Sequence, residues 1–194
     1  MARQLIVSEL FERNRERLQL SWVSGPMTRA ICTTEHIVSP ADLIGHLNLM
    51  HPERLQVIGA PEVAWALRHS SEKVAHHMAE IYAAKPPAII VADGCEINPG
   101  VRAGCEASGT PLLTTPISSA FVIDTLRAFV SRQLAETGTL HGVFLDVLGM
   151  GVLITGDSGV GKSELALELV SRGHGLVADD DVELARTAPT TIEG

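Results

Sequence analysis

The sequence contains few cysteines, and they form no recognisable framework. Cys32, Cys95 and Cys105 are an odd number, lie far apart and include no C-x-x-C pair. This spacing argues against both a disulfide framework and a zinc ribbon. No H-E-x-x-H pattern occurs, and His76 and His77, being adjacent on a predicted helix, point in different directions. These absences disfavour a structural metal site.

Long apolar runs and an excess of positive charge are also lacking. The amino terminus has no apolar core of signal-peptide length, and no run approaches the roughly 18 apolar residues of a membrane-spanning helix. Lys and Arg number 15 against 23 Asp and Glu, which gives a net charge of −8. Because sequence-independent binding to nucleic acid needs a basic face, we predict neither a nucleic-acid nor a membrane partner. We expect a cytoplasmic protein.

The first part of the chain alternates helical and strand patterns, which is typical of an α/β domain. We predict strands at 55–59, 87–92 and 111–114, and helices at about 8–17, 40–50, 61–84 with a break near Ser70, 99–108 and 118–136. The stretch 87–114 then forms a strand, helix, strand crossover. Because Thr137-Gly138-Thr139 breaks the pattern, we predict an amino-terminal α/β domain over 1–136 and the start of a second domain over 137–194.

A glycine-rich loop is the most informative motif present. Its residues follow the phosphate-binding pattern G-x-x-x-x-G-K-S/T: Gly156, Asp157, Ser158, Gly159, Val160, Gly161, Lys162 and Ser163. The flanks read as a buried strand over 151–155 and a helix from Ser163 to Arg172, so a plain connecting turn is disfavoured. In such loops backbone N–H groups converge on phosphate oxygens, the lysine adds a charge, and the serine hydroxyl can bind magnesium. The motif predicts that this loop binds a nucleoside triphosphate.

Three carboxylates follow the loop helix. Leu176 to Asp181 reads as a short apolar strand ending in Asp179, Asp180 and Asp181. A strand directly after the helix is expected beside the strand that feeds the loop, with its carboxyl end opening on the same crevice. One carboxylate could then orient magnesium, while a neighbour accepts a proton from an attacking hydroxyl. An acidic turn that merely ends a strand is the alternative, but the distance from the loop favours a kinase-like site.

The residues beyond 137 are too few to complete such a domain. They hold two or three strands and one helix, and the helix at 164–170 is apolar nearly all round. A sheet of this kind needs further strands and a second covering layer. We therefore expect the chain to be an amino-terminal part of a longer protein. His141, which begins a strand pattern, could be a strand-edge histidine or a catalytic residue.

Three segments together closely resemble the HPr kinase/phosphorylase family. They are His141-Gly142-Val143, the stretch from Gly151 to Glu164, and the stretch from Gly173 to Asp180. Residues 44–58, with Gly45-His46-Leu47-Asn48 and His51-Pro52, resemble the amino-terminal domain of proteobacterial members more weakly. The resemblance implies a P-loop kinase domain akin to phosphoenolpyruvate carboxykinase. The absence of H-R-D and D-F-G patterns, which mark eukaryotic protein kinases, agrees.

The family resemblance implies an activity and a set of roles. The enzyme would use ATP and Mg²⁺ to phosphorylate a regulatory serine on the phosphocarrier HPr. It would remove that phosphate with inorganic phosphate, which yields pyrophosphate. Carried over by position, Gly156 to Ser163 would hold the nucleotide, with Lys162 on the transferring group. Ser163 and Asp179 would hold magnesium, Asp180 would be the catalytic base, and His141 would orient or charge-balance the site.

The sequence departs from the family pattern at its end. The family's later L-E-I/V-R-G segment and its terminal helices do not occur in these residues. We therefore expect the fragment alone to be inactive, and the homo-oligomer, a hexamer in this family, to belong to the longer protein. Two other functions stay open: a small-metabolite kinase on the same loop architecture, and an ATP-dependent sensor module without catalysis.

Overall fold

A computed structural model describes residues 5–32, 39–188 and 191–193, which divide into two compact units, Met1–Leu134 and Ala135–Gly194. Within the described residues, no helix is long and apolar enough to cross a membrane. The strands are β1 (Leu5–Ile6), β2 (Ser21–Ser24), β3 (Ala30–Ile31), β4 (Ile44–His46), β5 (Leu55–Ile58), β6 (Ile89–Val91), β7 (Leu112–Thr114), β8 (Glu136–Val147), β9 (Met150–Ile154), β10 (Gly175–Ala188) and β11 (Thr191–Glu193). The helices are α1 (Val7–Asn14), α2 (Ala60–Leu67), α3 (Ser71–Ala83), α4 (Pro99–Ser108), α5 (Ser119–Gln133) and α6 (Lys162–Ser171), and a 3-10 turn spans Pro40–Leu43.

The first unit is an α/β layer structure around a five-stranded sheet. The sheet order is β2, β7, β6, β5, β4, and all neighbouring pairs are parallel except β2 with β7. Successive strand residues point to opposite faces, so Ile90 packs with α1 and α5 while Ile89 and Val91 pack with α3 and α4. The predicted crossover is present, because β6, α4 and β7 follow one another and the two strands pair in parallel.

One helix predicted in this unit does not form. The pattern over 40–50 predicts a helix, but the structure has the 3-10 turn Pro40–Leu43 followed directly by β4. Ile44 is fully buried and pairs with Leu55 of β5, so sheet pairing outweighs the local helical pattern. The break predicted near Ser70 is present, since α2 ends at Leu67 and α3 begins at Ser71.

The second unit is built on a four-stranded sheet with the order β11, β10, β8, β9, in which every neighbouring pair is antiparallel. β9 and β10 therefore run in the same direction, with β8 between them, and α6 connects them. This differs from the expectation that the strand after the loop helix lies beside the strand before it. The intervening strand β8 comes from the chain just upstream, because a tight turn at Leu148-Gly149 folds β8 back onto β9.

Three further expectations for this unit need correction. The helical pattern does end before Thr137-Gly138-Thr139, but these residues are not a linker, because they lie within β8 and pair with Glu183 to Ala185. The acidic strand does not end at its carboxylates, because β10 continues through Asp181 to Ala188. β9 is only partly buried rather than fully buried. The long ladder between β8 and β10 accounts for the first two differences, since it extends both strands beyond their local patterns.

Candidate active site

The loop between β9 and α6 adopts a conformation that depends on its glycines. Gly159 and Gly161 have φ angles of +83° and +95°, in the left-handed region that favours glycine. Gly161 directly precedes α6, where it offers no side chain to accept hydrogen bonds from the first helical turn. The first N–H groups of a helix lack acceptors within the helix. The loop therefore ends at a helix terminus that is suited to binding an anion.

Lys162 lies across this loop. Its Nζ donates hydrogen bonds to the carbonyl oxygens of Gly156 and Asp157, both at 2.9 Å. These contacts hold the ammonium group on the loop that the sequence predicts to bind phosphate. A positive charge here, at the amino terminus of α6, favours the binding of negatively charged oxygens to the loop.

The sheet register places the loop level with the acidic residues of β10. Ile154, the last residue of β9, pairs with Val143 of β8, and Val143 pairs with Asp179 of β10. Because neighbouring strands lie about 4.8 Å apart, the backbones of Ile154 and Asp179 are separated by roughly 10 Å. The loop thus begins at the same level of the sheet as the carboxylates, two strands away.

His141 and Asp180, both predicted to be catalytic, are in contact. Nδ1 of His141 lies 3.3 Å from Oδ1 of Asp180, and the two side chains are 56% and 82% exposed. A protonated histidine at this distance would balance the charge of the carboxylate. The pair is open to solvent, so it is accessible to a reacting group.

This contact depends on an unusual backbone conformation at Asp180. His141 is the cross-strand partner of Asp181, so regular alternation would direct the Asp180 side chain to the other face of the sheet. The φ angle of Asp180 is +92°, which lies outside the strand region. The backbone therefore departs from strand geometry at this residue, and its carboxylate reaches His141. Left-handed conformations of this kind are strained for a residue other than glycine and occur at functional sites.

The two residues predicted to bind magnesium lie on separate elements. Ser163 is in the first turn of α6, and Asp179 is in β10. Both side chains are exposed, and neither takes part in a side-chain hydrogen bond within the described part of the chain. Across residues 5–32, 39–188 and 191–193 there is no group of three or more His, Cys, Asp or Glu residues that could hold a metal ion. A hydroxyl and a carboxylate oxygen are the donor types that Mg²⁺ accepts when phosphate oxygens and water complete its shell.

Comparison with known families agrees with these motifs and covers nearly the whole chain. Residues 5–130 match the family model described as the HPr serine kinase N terminus, and residues 132–194 match the HPr serine kinase C-terminal domain. The chain belongs to the HPr serine kinase family. The first match covers the α/β unit, and the second covers the unit that contains the loop and the His141–Asp180 pair.

Several curated relatives carry the name HPr kinase/phosphorylase. The one from Azoarcus sp. (strain BH72) is 62% identical over 192 residues, which are 99% of this chain and 61% of the relative. That from Aromatoleum aromaticum is 60% identical over 192 residues with the same coverage, and that from Burkholderia mallei is 52% identical over 189 residues. The chain spans about three fifths of the length of the HPr kinase relatives that it matches.

Sequence reasoning missed one residue of this region, Gly142. It lies beside His141 in β8 and is the cross-strand partner of Asp180. A Cβ atom on Gly142 would lie 2.5 Å from the carbonyl oxygen of Ile154. The sequence indicates the H-G-V segment only as part of the family pattern, since nothing in the local sequence shows which strand packs against Gly142.

Proposed function

We propose that the protein to which this chain belongs phosphorylates a regulatory serine on the phosphocarrier HPr, using ATP and Mg²⁺. We further propose that it reverses this reaction by phosphorolysis, in which inorganic phosphate takes the phosphoryl group and pyrophosphate leaves. The contact between His141 and Asp180, level with a loop of the phosphate-binding pattern, is the observation that carries the proposal. The names of the relatives, HPr kinase/phosphorylase, support the same substrate.

The loop residues would bind the nucleotide. Backbone N–H groups from Gly156 to Ser163 would surround the phosphates at the amino terminus of α6, and Lys162 would exchange its loop carbonyl contacts for phosphate oxygens. Ser163 and Asp179 would hold magnesium, which neutralises charge on the phosphate oxygens. Because phosphoryl transfer needs positioning and charge stabilisation more than covalent chemistry, this arrangement suits the reaction.

Asp180 would act as the base. Its carboxylate would accept the proton of the HPr serine hydroxyl as the oxygen attacks, and return that proton to the serine oxygen during phosphorolysis. His141 would hold the carboxylate in the orientation that the positive φ of Asp180 allows. We also propose that the protein works in the cytoplasm and that it forms a homo-oligomer. Sedimentation of the full-length protein would test the oligomeric state.

The proposal is tested with the full-length protein, γ-labelled ATP, magnesium and HPr. We expect label on the serine of HPr and none on an HPr variant in which that serine is alanine. Asp180→Asn should reduce transfer in both directions by 10²-fold or more, on the order of a general-base contribution, with ATP binding retained. Asparagine tolerates a positive φ at least as well as aspartate, so this variant removes the base without adding strain.

Glu183→Gln is the matched control, since Glu183 is an exposed carboxylate of the same strand, pairs with Thr139 and has no assigned role. It should transfer phosphate at nearly the normal rate. Normal rates in Asp180→Asn would show that Asp180 is not the base. Label in a metabolite pool rather than on HPr would support the small-metabolite kinase, and ATP binding without any transfer would support the sensor module.

A further inference from the structure

Gly142 lies in β8, between β9 on one side and β10 on the other. In β8 it follows His141, across the sheet it pairs with Asp180 of β10, and on the other side it faces the end of β9. A Cβ atom built on Gly142 would lie 2.5 Å from the carbonyl oxygen and 3.4 Å from the carbonyl carbon of Ile154. Cβ atoms essentially never approach another heavy atom within 3.0 Å. Since the atoms are backbone, no side-chain rotation could relieve the overlap.

We propose that Gly142 is a positioning residue, whose missing side chain sets the separation between the phosphate-binding loop and the His141–Asp180 pair. This inference rests on the proposed function, because it concerns the alignment of the nucleotide with the base. Ile154 is the last residue of β9, and the loop begins two residues later at Gly156. Any displacement of the Ile154 carbonyl therefore moves the start of the loop.

A methyl group at position 142 would force one of two movements. In the first, the end of β9 moves away from β8 and carries the loop with it. In the second, β8 moves away from β9 and carries both His141 and its paired strand β10, which contains Asp180. Both movements change the distance between the loop and the His141–Asp180 pair, while the contacts within the loop and within the pair are kept. An error of about 1 Å in the alignment of reacting groups can lower a rate by roughly 10²-fold.

The internal contacts of the loop do not involve Gly142. The Lys162 ammonium group donates hydrogen bonds to the carbonyls of Gly156 and Asp157, and Gly161 directly precedes α6. These local features would hold the nucleotide whether or not the loop is aligned with Asp180. Gly142→Ala should therefore separate ATP binding from phosphoryl transfer, which a merely structural role would not do.

Gly138 offers a matched control in the same strand. It also lies in β8, where it pairs with Leu184, and a Cβ atom on it would meet nothing within 4 Å. Both glycines should be changed to alanine in the full-length protein, followed by measurement of kcat, KM for ATP, Kd for ATP and Tm. In Gly142→Ala we expect kcat to fall about 10²-fold while KM and Kd for ATP change less than about threefold. Gly138→Ala should match the unaltered protein in kcat, KM and Kd, with an equal or slightly higher Tm because alanine restricts the unfolded chain more than glycine does.

Two results would overturn the inference. One is a normal kcat in Gly142→Ala, and the other is a parallel fall of kcat, ATP affinity and Tm, which would indicate only a damaged sheet. If Gly142→Ala does not fold, one glycine inserted between Thr155 and Gly156 moves the loop without adding a side chain to the sheet. That insertion should also lower kcat with ATP affinity retained, and an unchanged kcat would count against the positioning role.

A readout independent of HPr distinguishes failure of this inference from failure of the proposed function. The NMR signal of the His141 ring should shift when Mg·ATP saturates the unaltered protein, because the proposed function would bring the phosphates close to the His141–Asp180 pair. In Gly142→Ala at equal saturation the shift should be much smaller, and in Gly138→Ala it should be full. If the His141 shifts differ in this way but no phosphate is transferred to HPr, the positioning role of Gly142 is supported and HPr is not the substrate. Transfer to HPr with an equal shift in all three proteins would reject the positioning role alone.

Discussion

Among single residues of the first unit, Asp93 joins two helix termini. Its Oδ2 accepts a hydrogen bond from the N–H of Ala60 at 2.7 Å, and its Oδ1 accepts one from the N–H of Ser119 at 2.7 Å. Ala60 and Ser119 are the first residues of α2 and α5. Burial alone would raise the pKa of Asp93, but these N–H groups and the Ser119 hydroxyl outweigh it and hold the pKa below its ordinary value. One carboxylate thus caps both helices at the carboxyl ends of the parallel strands.

Replacing Asp93 with asparagine should destabilise the unit in a pH-dependent way. The amide can accept from one helix terminus but not from both, so we expect a loss of about 1–2 kcal/mol at pH 7. Because the folded pKa is lowered, the contribution of the carboxylate is complete above its unfolded pKa of about 3.9 and is lost as pH falls through the folded value. The difference between the two proteins in urea unfolding should therefore shrink below about pH 4.

The control for this prediction is Asp124→Asn. Asp124 is an exposed carboxylate of α5, and a surface substitution of this kind usually changes stability by less than about 0.5 kcal/mol. A difference between Asp93→Asn and the unaltered protein that stayed constant down to pH 2 would show that the carboxylate charge is not what stabilises the two helix termini.

In the candidate site, the sequence predicts which residues are functional but not the contact between them. His141, Lys162 and Asp180 could be selected from motif and family pattern alone. The contact between His141 and Asp180 could not be derived, because it needs the pairing of β8 with β10 and the φ of +92° at Asp180. Pairing between distant segments and backbone strain leave no signal in local periodicity. Their roles in catalysis stay predictions.

Among the elements, those with strong local patterns were predicted and those made by distant pairing were not. The crossover β6, α4, β7 was predicted, since apolar strand runs flank a helical pattern that starts at Pro99 and is followed by Gly109. β4 was wrongly predicted as helix, because its residues become a strand only by pairing with β5. The extension of β8 through Thr137 to Thr139 has the same cause, as β10 supplies the partner. Local propensity is decisive only where tertiary pairing does not override it.

The packing of α3 against α4 depends on a glycine. A Cβ atom on Gly104 would overlap Cε2 and Cζ of the Tyr82 ring and would lie 2.7 Å from its hydroxyl oxygen. The ring is held in place, since its hydroxyl donates a hydrogen bond to the carbonyl of Val101 at 3.3 Å. An added methyl group at Gly104 would therefore displace the Tyr82 ring from its place between the two helices.

Gly104→Ala should destabilise the first unit by about 1–3 kcal/mol through overpacking. In an open helix the same change would stabilise by about 1 kcal/mol, because alanine has the higher helix propensity. The sign of the change in unfolding free energy can be tested by urea unfolding in a double-mutant cycle. On a Tyr82→Ala background the overlap is gone, so Gly104→Ala should become neutral or stabilising. A stabilising effect in the presence of Tyr82 would contradict the packing described here.

Across the whole molecule, the two units differ in how well they bury their own apolar residues. The first unit has buried clusters on both faces of its sheet. The core cluster of the second unit contains Val143, Leu145 and Ala166 as its buried members. Large apolar side chains of this unit remain exposed, with Leu167 at 70% and Leu148 at 86%. The helix that sequence reasoning found apolar nearly all round, α6, thus buries only one residue, Ala166, within the described part of the chain.

This difference predicts that the two units behave differently when they are separated. Residues 1–134 should unfold in urea in one cooperative transition, because their sheet is covered on both faces. Residues 135–194 should show no cooperative transition and a narrow spread of amide NMR signals. Full burial of a large apolar side chain gives about 1.5–3 kcal/mol, whereas ordering each residue costs about 1–2 kcal/mol, so such a small core cannot offset the lost chain entropy. Cooperative unfolding of residues 135–194 alone would show that the long β8–β10 ladder stabilises this unit without further apolar cover.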